Sequence, residues 1–435
     1  MKKNTKVQKK GLTRRDFIKT SAVGVAGLAV ALQFAPWRAS AAEKPIKLLC
    51  VSIFSGRAAV LGEASKNGMN MAIEEFNAKG GILGRKVEAE YRETRGKVEE
   101  AVRLAREAAA SGEVDFLIDG TSSREAFAVK EVARDMKFPT LVLQSKTTSL
   151  TADPSTHCRY NFRFAQNNLH DEAAGAKYAA KLAKKNGWKK WAMIGPDYDY
   201  GHENVMYFTY YLKQSFPEAK VIVEAWPKLN EPDFTPHINK IMQSGAQACF
   251  TSQWGGDIVA LLEQGQLYGF TKKVKLFGVD LGDFTAINPL KKAFGGKFPD
   301  GIYMGTRANP VTPDTKPNHD WFNAYVKKYG YEPTGWDQQA YTAMLFLKAA
   351  IEKAGSTDKE AFVDALEDLE IVGPWGTPPS QKLKMRKRDH TIIYFTEAWG
   401  RMVSEFPHAA DVMTLPWDEL LKMESGWLKE KGWLK

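Results

Sequence analysis

The sequence predicts an α/β protein made of two units, each a doubly wound parallel sheet. Three observations carry this. Apolar strand-like runs alternate with amphipathic helices from residue 46 onward, the rhythm pauses across 144–164 and restarts, and the chain is long enough for two cores. Its 435 residues are 44% hydrophobic and 26% charged, an ordinary globular balance rather than that of a disordered chain. At roughly 150 residues per domain the length suits two or three domains.

In the first unit, residues 46–54 (IKLLCVSIF) read as a buried strand. Residues 65–79 read as a helix because Met69, Ala72, Ile73 and Phe76 share one face, and Gly80-Gly81 breaks it. A strand at 86–91 follows, then a helix at 97–110 with Val98, Ala101, Ala105 and Ala108 on one stripe. Strand 114–118, helix 124–136 and strand 140–143 complete the unit. The second unit repeats the alternation: helix 172–185, strand 190–194, helix 203–213, strand 221–224, helix 235–243, strand 248–251, helix 258–267 and strand 274–279. A strand at 301–306, long helices near 321–329 and 338–353, and a strand-like 391–395 before a helical tail imply a late return of the chain. Trp375-Gly376-Thr377-Pro378-Pro379 reads as a turn-rich link. Trp417, Trp427 and Trp433 in the tail are expected to pack on their own unit rather than on a partner or membrane.

The net charge of +10 is unevenly placed. Residues 1–41 hold nine Lys and Arg against Asp16, a balance of +8, which leaves +2 for the rest. A near-neutral body has no electrostatic footprint for nucleic acid. The basic start, Arg14-Arg15, the small and apolar stretch from Ser21 to Leu32, and Ala39-Ser40-Ala41 look like a twin-arginine export signal, with the mature chain starting at Ala42. The expected location is the periplasm. No Cys sits at that junction, so no lipid anchor is expected. No apolar run in the mature part reaches the roughly 18 residues a bilayer span needs. Cys50 and Cys249 lie in strand-like runs as small core residues, Cys158 makes the count odd, and the fold should not depend on a bridge.

Ligands of open parallel sheets bind beyond the carboxyl ends of the strands. There, Gly120-Thr121-Ser122-Ser123 opens a helix, and its hydroxyls and free N–H groups suit an anion, though a plain N-cap uses the same residues. Gln144-Ser145-Lys146 adds polar groups on that rim. The second unit brings Asp197-Tyr198-Asp199-Tyr200, Gln253-Trp254 and Val279-Asp280 to one edge. The loop from Ser55 to Gly62 fits neither G-x-G-x-x-G nor a P-loop. The seven histidines form no H-E-x-x-H, no C-x-x-C is present, and no G-x-S-x-G elbow exists, so no metal, cofactor or catalytic set is expected.

At this point the chain resembles type I periplasmic binding proteins, in the leucine/isoleucine/valine-binding branch that serves ABC importers. The resemblance covers roughly 46–400. It rests on Ser55-Gly56 through Gly62, on Gly68-Met69 and on Asn77-Ala78-Lys79-Gly80-Gly81-Ile82-Leu83-Gly84-Arg85. Pro139 to Leu150-Thr151, Asp197 to Gly201, Asp233-Phe234-Thr235 and Arg388-Asp389-His390 add to it. It implies two α/β lobes, 43–164 with 305–376 and 165–304 with 377–435, joined by three hinge strands. By resemblance Ser122 and Ser123 would hold a ligand carboxylate, with Gln144, Ser145, Lys146, Tyr200, Trp254 and Leu61 lining the pocket and Asp280 receiving an α-ammonium.

Departures stand at Leu61, where an aromatic is common, at Arg57, where Pro often follows the Gly, and at Lys146, where a small residue is frequent. They point away from branched-chain amino acids, toward an amide or a more acidic or aromatic carboxylate. The implied function is capture of a small polar organic solute, an amino acid or a related amide or carboxylate, by a monomer for an ABC permease and its ATPase subunits. The alternatives are a ligand-sensing subunit of a signalling system, or an exported α/β enzyme.

Overall fold

A computed structural model describes residues 44–377, 382–393 and 397–434. The expected export signal at 1–41 lies outside them, as do Pro378, Pro379, Tyr394 and Phe395. In the first half the order is β1 (Ile46–Ser52), α1 (Ala59–Ala78), β2 (Val87–Glu93), α2 (Val98–Ser111), β3 (Phe116–Gly120), α3 (Ser123–Asp135), β4 (Thr140–Val142), α4 (Ser149–Ala152) and β5 (Asn161–Arg163). The strands form one parallel sheet in the order β2-β1-β3-β4-β5. Because successive side chains point to opposite faces, β1 needs cover on both. Ile46, Leu48 and Cys50 join Met69, Ala72 and Phe76 of α1, while Leu49 and Val51 join Ala101, Leu104 and Val129 of α2 and α3.

The second half adds α5 (Asn168–Asn186), β6 (Lys190–Ile194), α6 (Asp199–Ser215), β7 (Lys220–Ala225), α7 (Thr235–Gln243), β8 (Ala248–Thr251), α8 (Gly255–Leu267), α9 (Phe270–Lys273), β9 (Lys275–Gly282), α10 (Phe284–Ala293) and β10 (Ile302–Thr306). The chain then forms α11 (Lys316–Tyr329), α12 (Gly335–Ala354), α13 (Lys359–Leu366) and a small sheet of β11 (Glu370–Thr377), β12 (Lys382–Met385) and β13 (Ile392–Ile393). It ends with β14 (Glu397–Met402), β15 (Ala409–Leu415) and α14 (Trp417–Glu430). The second sheet runs β15-β14-β10-β9-β8-β6-β7. Its pairings from β10 to β7 are parallel, and β14 and β15 are antiparallel. The chain passes between the sheets three times: after β5, after β10 and before β14.

Several expectations need correcting. The helical tail is preceded by the β14–β15 hairpin, which lacks a period-two signal because β14 is buried on both faces, Glu397 included. Gly400 leaves room there for the Ala410 carbonyl, and Trp399 packs on Gly175. Trp375 is no turn residue: it ends inside β11, buried, with its N–H on Asn318 Oδ1 at 3.0 Å. Helix α1 starts at Ala59 rather than 65 because its first turn buries Leu61 and Ala64 against Tyr200, Trp254 and Trp336 of other segments. All three cysteines are free and buried. Trp417 and Trp427 are buried, the latter edge-on to Tyr207 with ring centroids 4.9 Å apart.

Close approach of helices is paid for in glycine. A Cβ on Gly68 of α1 would lie 2.3 Å from the Asp337 carbonyl of α12, so α12 can return along α1 only at a bare backbone. Gly255 and Gly256 do the same where the halves meet, since a Cβ on Gly256 would lie 2.9 Å from Arg57 Cβ and Cγ. Arg57 crosses the gap there, its Nη1 donating to the Glu231 carbonyl at 2.6 Å and to Asp257 Oδ1 at 3.1 Å. On the other side Glu203 accepts the Thr148 and Ser149 N–H groups at 2.7 and 3.2 Å. Gly256→Val is therefore expected to push the Arg57 loop off α8 and widen the gap; small-angle scattering should give a larger radius of gyration than the parent, and superimposable curves would refute this.

Helix α14 is tied down by charge. Arg386 forks onto Asp389 and Glu424, Arg388 Nη2 lies 3.5 Å from Glu424, and His170 Nε2 lies 3.3 Å from it. Burial opposes ionisation of Glu424, yet Arg386 and His170 more than offset it and hold its pKa well below the usual carboxylate value. Such a group contributes stability fully above the unfolded pKa of about 4.3 and loses it as pH falls toward the lower folded value. Glu424→Gln should cost about 3 kcal/mol at pH 7, since it breaks a buried pair while Arg386 keeps Asp389. Urea unfolding should also show a shallower loss of stability below pH 4 in this variant.

Candidate ligand-binding site

The carboxyl ends of the two sheets face one pocket with about 290 Å³ of empty space. Leu61, Ser122, Ser123, Gln144 and Lys146 line it from the first half, and Tyr198, Tyr200, Trp254 and Asp280 from the second; Trp336, at the start of α12, closes it. Eight of the nine expected residues thus meet in one place. Ser145 is not among the lining residues; its hydroxyl instead donates to Ser123 Oγ at 2.9 Å. Tyr198 and Trp336 were not expected. Tyr198 stands two residues before Tyr200 in a loop already singled out, whereas Trp336 carries no local signal because only the return of α12 places it.

The polar end is built at the start of α3. Ser122 is its N-cap, and its N–H and hydroxyl turn inward to Glu125 Oε2 at 3.4 and 3.0 Å. Ser123 Oγ accepts from both Ser145 and Thr147, at 2.9 and 2.7 Å. With two hydrogen bonds accepted, its own proton remains to be donated. Lys146 stands beside it, held by its backbone: the carbonyl accepts from Arg163 Nη1 at 2.8 Å. Arg163 is fully buried, its other contacts are hydroxyls and carbonyls, and burial lowers its pKa to about 10. It also joins two of the crossing segments, since its N–H donates to the His390 carbonyl at 2.8 Å.

Beneath lies a buried charge cluster. Lys146 is 2% exposed and pairs with Asp171, and its Nζ is 3.6 Å from Asp280 Oδ1. Arg307 binds that same Asp280 oxygen, and Tyr200 OH donates to Oδ2 at 2.5 Å. Burial would raise the Asp280 pKa, but Lys146 and Arg307 outweigh it and hold the value below that of an ordinary carboxylate. Asp280 is thus an ionised carboxylate whose oxygens are already taken. Glu172 and Glu397 behave oppositely: burial, and Asp171 nearby, drive both pKa values well above the usual one. Gln166 Nε2 lies 3.3 Å from each Glu397 oxygen.

The side walls are aromatic. Tyr198 and Tyr200 stack at 5.9 Å between centroids, and Trp254 meets Trp336 edge-on at 6.1 Å. Trp254 Nε1 donates to Tyr198 OH at 3.0 Å, and the Arg307 guanidinium lies 5.5 Å from the Trp336 ring. Such walls suit a flat apolar body, and the Ser123 and Lys146 end suits an anion.

Comparison with known proteins places the chain. The family model for periplasmic binding protein matches residues 45–396. Leu/Ile/Val-binding protein homolog 7 of Brucella abortus (strain 2308) is 26% identical over 403 residues, covering 88% of this chain and 97% of that protein. The leucine-, isoleucine-, valine-, threonine-, and alanine-binding protein of Pseudomonas aeruginosa is 25% identical over 341 residues, covering 78% and 86%. Among solved structures, a solute binding protein of an ABC transporter from Rhodopseudomonas palustris BisB5, in complex with 3,4-dihydroxy benzoic acid, matches with a TM-score of 0.74. It is 19% identical, over 86% of this chain and 96% of that one. The chain belongs to the periplasmic binding protein family.

Proposed function

We propose that this chain is the extracytoplasmic binding protein of an ABC importer, and that its solute is a small organic carboxylate with a flat apolar body and no α-ammonium. The observation that carries this is the state of Asp280. Its oxygens are occupied by Arg307, Tyr200 and Lys146, so an incoming ammonium would have to displace a buried ion pair. The anion end has the Ser123 proton, the α3 N-terminus and Lys146 to offer. Four aromatic rings supply the walls. The Rhodopseudomonas palustris protein, which holds 3,4-dihydroxy benzoic acid, supports the same choice over the amino acids named for the Pseudomonas aeruginosa relative.

The mechanism is capture without chemistry. The solute enters an open form between the lobes built on the two large sheets, and the three crossing segments bend. Contacts made only in the closed form then shift the population toward it. That form docks as a monomer on a membrane permease served by ATPase subunits. Export by the Arg14-Arg15 signal would deliver the protein to the periplasm.

A thermal-shift and calorimetry panel of aromatic and aliphatic carboxylates, amino acids, amides and urea tests this. A ligand at 100 times its Kd should add about 2.7 kcal/mol. Each deaminated carboxylate should bind more tightly than its α-amino counterpart, and the reverse order would overturn the reading. Ser123→Ala should weaken carboxylate binding by about 1.5–3 kcal/mol, roughly ten- to a hundredfold, since it removes a hydrogen bond to a charged group. Calorimetry on a variant whose urea midpoint is unchanged would check it.

A further inference from the structure

The inner pocket is one of two chambers. Outside it, sharing Ser122 and Tyr198 as lining residues, lies a wider cavity of about 440 Å³ that opens to solvent. Its charged lining residues are Arg95, Arg124 and Lys228 against Asp197. Asp197 Oδ1 is 2.9 Å from His202 Nε2, and among the described residues none of the three cations forms an ion pair. Arg124 is oriented, its Nη2 donating to the Gly96 carbonyl at 2.7 Å. Its charge also reaches the Tyr198 phenol at the junction of the chambers: burial raises that pKa and Arg124 opposes the rise. Arg95 sits in a left-handed turn (φ 56°) whose N–H is held by Glu93 Oε1 at 2.5 Å.

We propose that the solute is an elongated dicarboxylate: one carboxylate and the flat body enter the inner pocket, and the second carboxylate stays in the outer chamber between Arg124, Arg95 and Lys228. This rests on the reading above and adds to it. A monocarboxylate that fits the inner pocket would leave the three cations around the outer chamber with Asp197, itself 2.9 Å from His202, as the one acid among its lining residues. Arg95 and Arg124 follow strands of the first sheet and Lys228 follows a strand of the second, so an anion between them attracts the two lobes toward each other. The second carboxylate therefore favours the closed form by contacts the open form lacks. Its cations are exposed, so the gain is salt-sensitive, unlike that of the buried end.

The test is calorimetric titration of the purified protein with cinnamate and with 4-carboxycinnamate, at 20 mM and at 500 mM NaCl. At low salt 4-carboxycinnamate is expected to bind at least tenfold more tightly than cinnamate, and the ratio should fall below threefold at high salt. In an Arg124→Gln/Lys228→Gln double variant, which alters exposed side chains, the ratio should fall below threefold even at low salt. A wild-type ratio near one with cinnamate bound would overturn the second carboxylate and leave the carboxylate reading intact. So would a ratio that survives the double variant. Failure of both compounds, with no carboxylate of the panel bound, would overturn both.

Discussion

The shared ammonium of Lys146 is the interaction on which the cleft depends. Lys146 leaves the edge of the first sheet, whereas Asp171 and Asp280 belong to the second half. Moving a lysine charge out of water costs several kcal/mol unless counter-charges meet it at close range. The second half therefore supplies, in Asp171 and Asp280, the counter-charges that meet Lys146 in this position. Burial pushes the pKa values of the Glu172 and Glu397 carboxyls up, and Asp171 adds to the rise, since further anions beside it are repelled in a medium of low dielectric.

That cluster also sets what the pocket can recognise. Asp280 in isolation would be an acceptor for a ligand ammonium; held by Arg307, Tyr200 and Lys146 it becomes part of the floor. Recognition then passes to the opposite side, where Ser123 has accepted two hydroxyl protons and has one to give. Arg163 links this chemistry to the hinge, because one guanidinium holds the Lys146 carbonyl while the backbone of the same residue pairs with the segment around His390. The loop that carries Lys146 is thereby tied to two of the crossing segments.

The alternation of strands and helices was legible because buried parallel strands are apolar on both faces and their covering helices on one. Elements whose burial comes from late tertiary contacts were not. The β14–β15 hairpin has Glu397 and Gly400 inside it, and α10 is a short helix with a proline, Pro289, within it. The site was legible to the extent that it hangs on strand ends: Ser122, Ser123, Gln144, Tyr200 and Trp254 follow strands in sequence, Asp280 lies in the last residues of β9, and the pocket collects them. Ser145 points into a hydroxyl network instead, a difference of one residue in a loop with no repeating pattern.

Residue order by itself determined the two large sheets, which strand ends carry polar and aromatic groups, and where the chain pauses between units, since all of these follow from local periodicity and turn chemistry. Tertiary structure decided which charges cancel. Arg307 lies 27 residues from Asp280, Asp171 lies a comparable distance from Lys146, and α12 brings Trp336 from the far side of the chain. No local pattern reports those meetings. The sign and freedom of a buried charge depend on neighbours within a few ångströms in space, and folding alone supplies them.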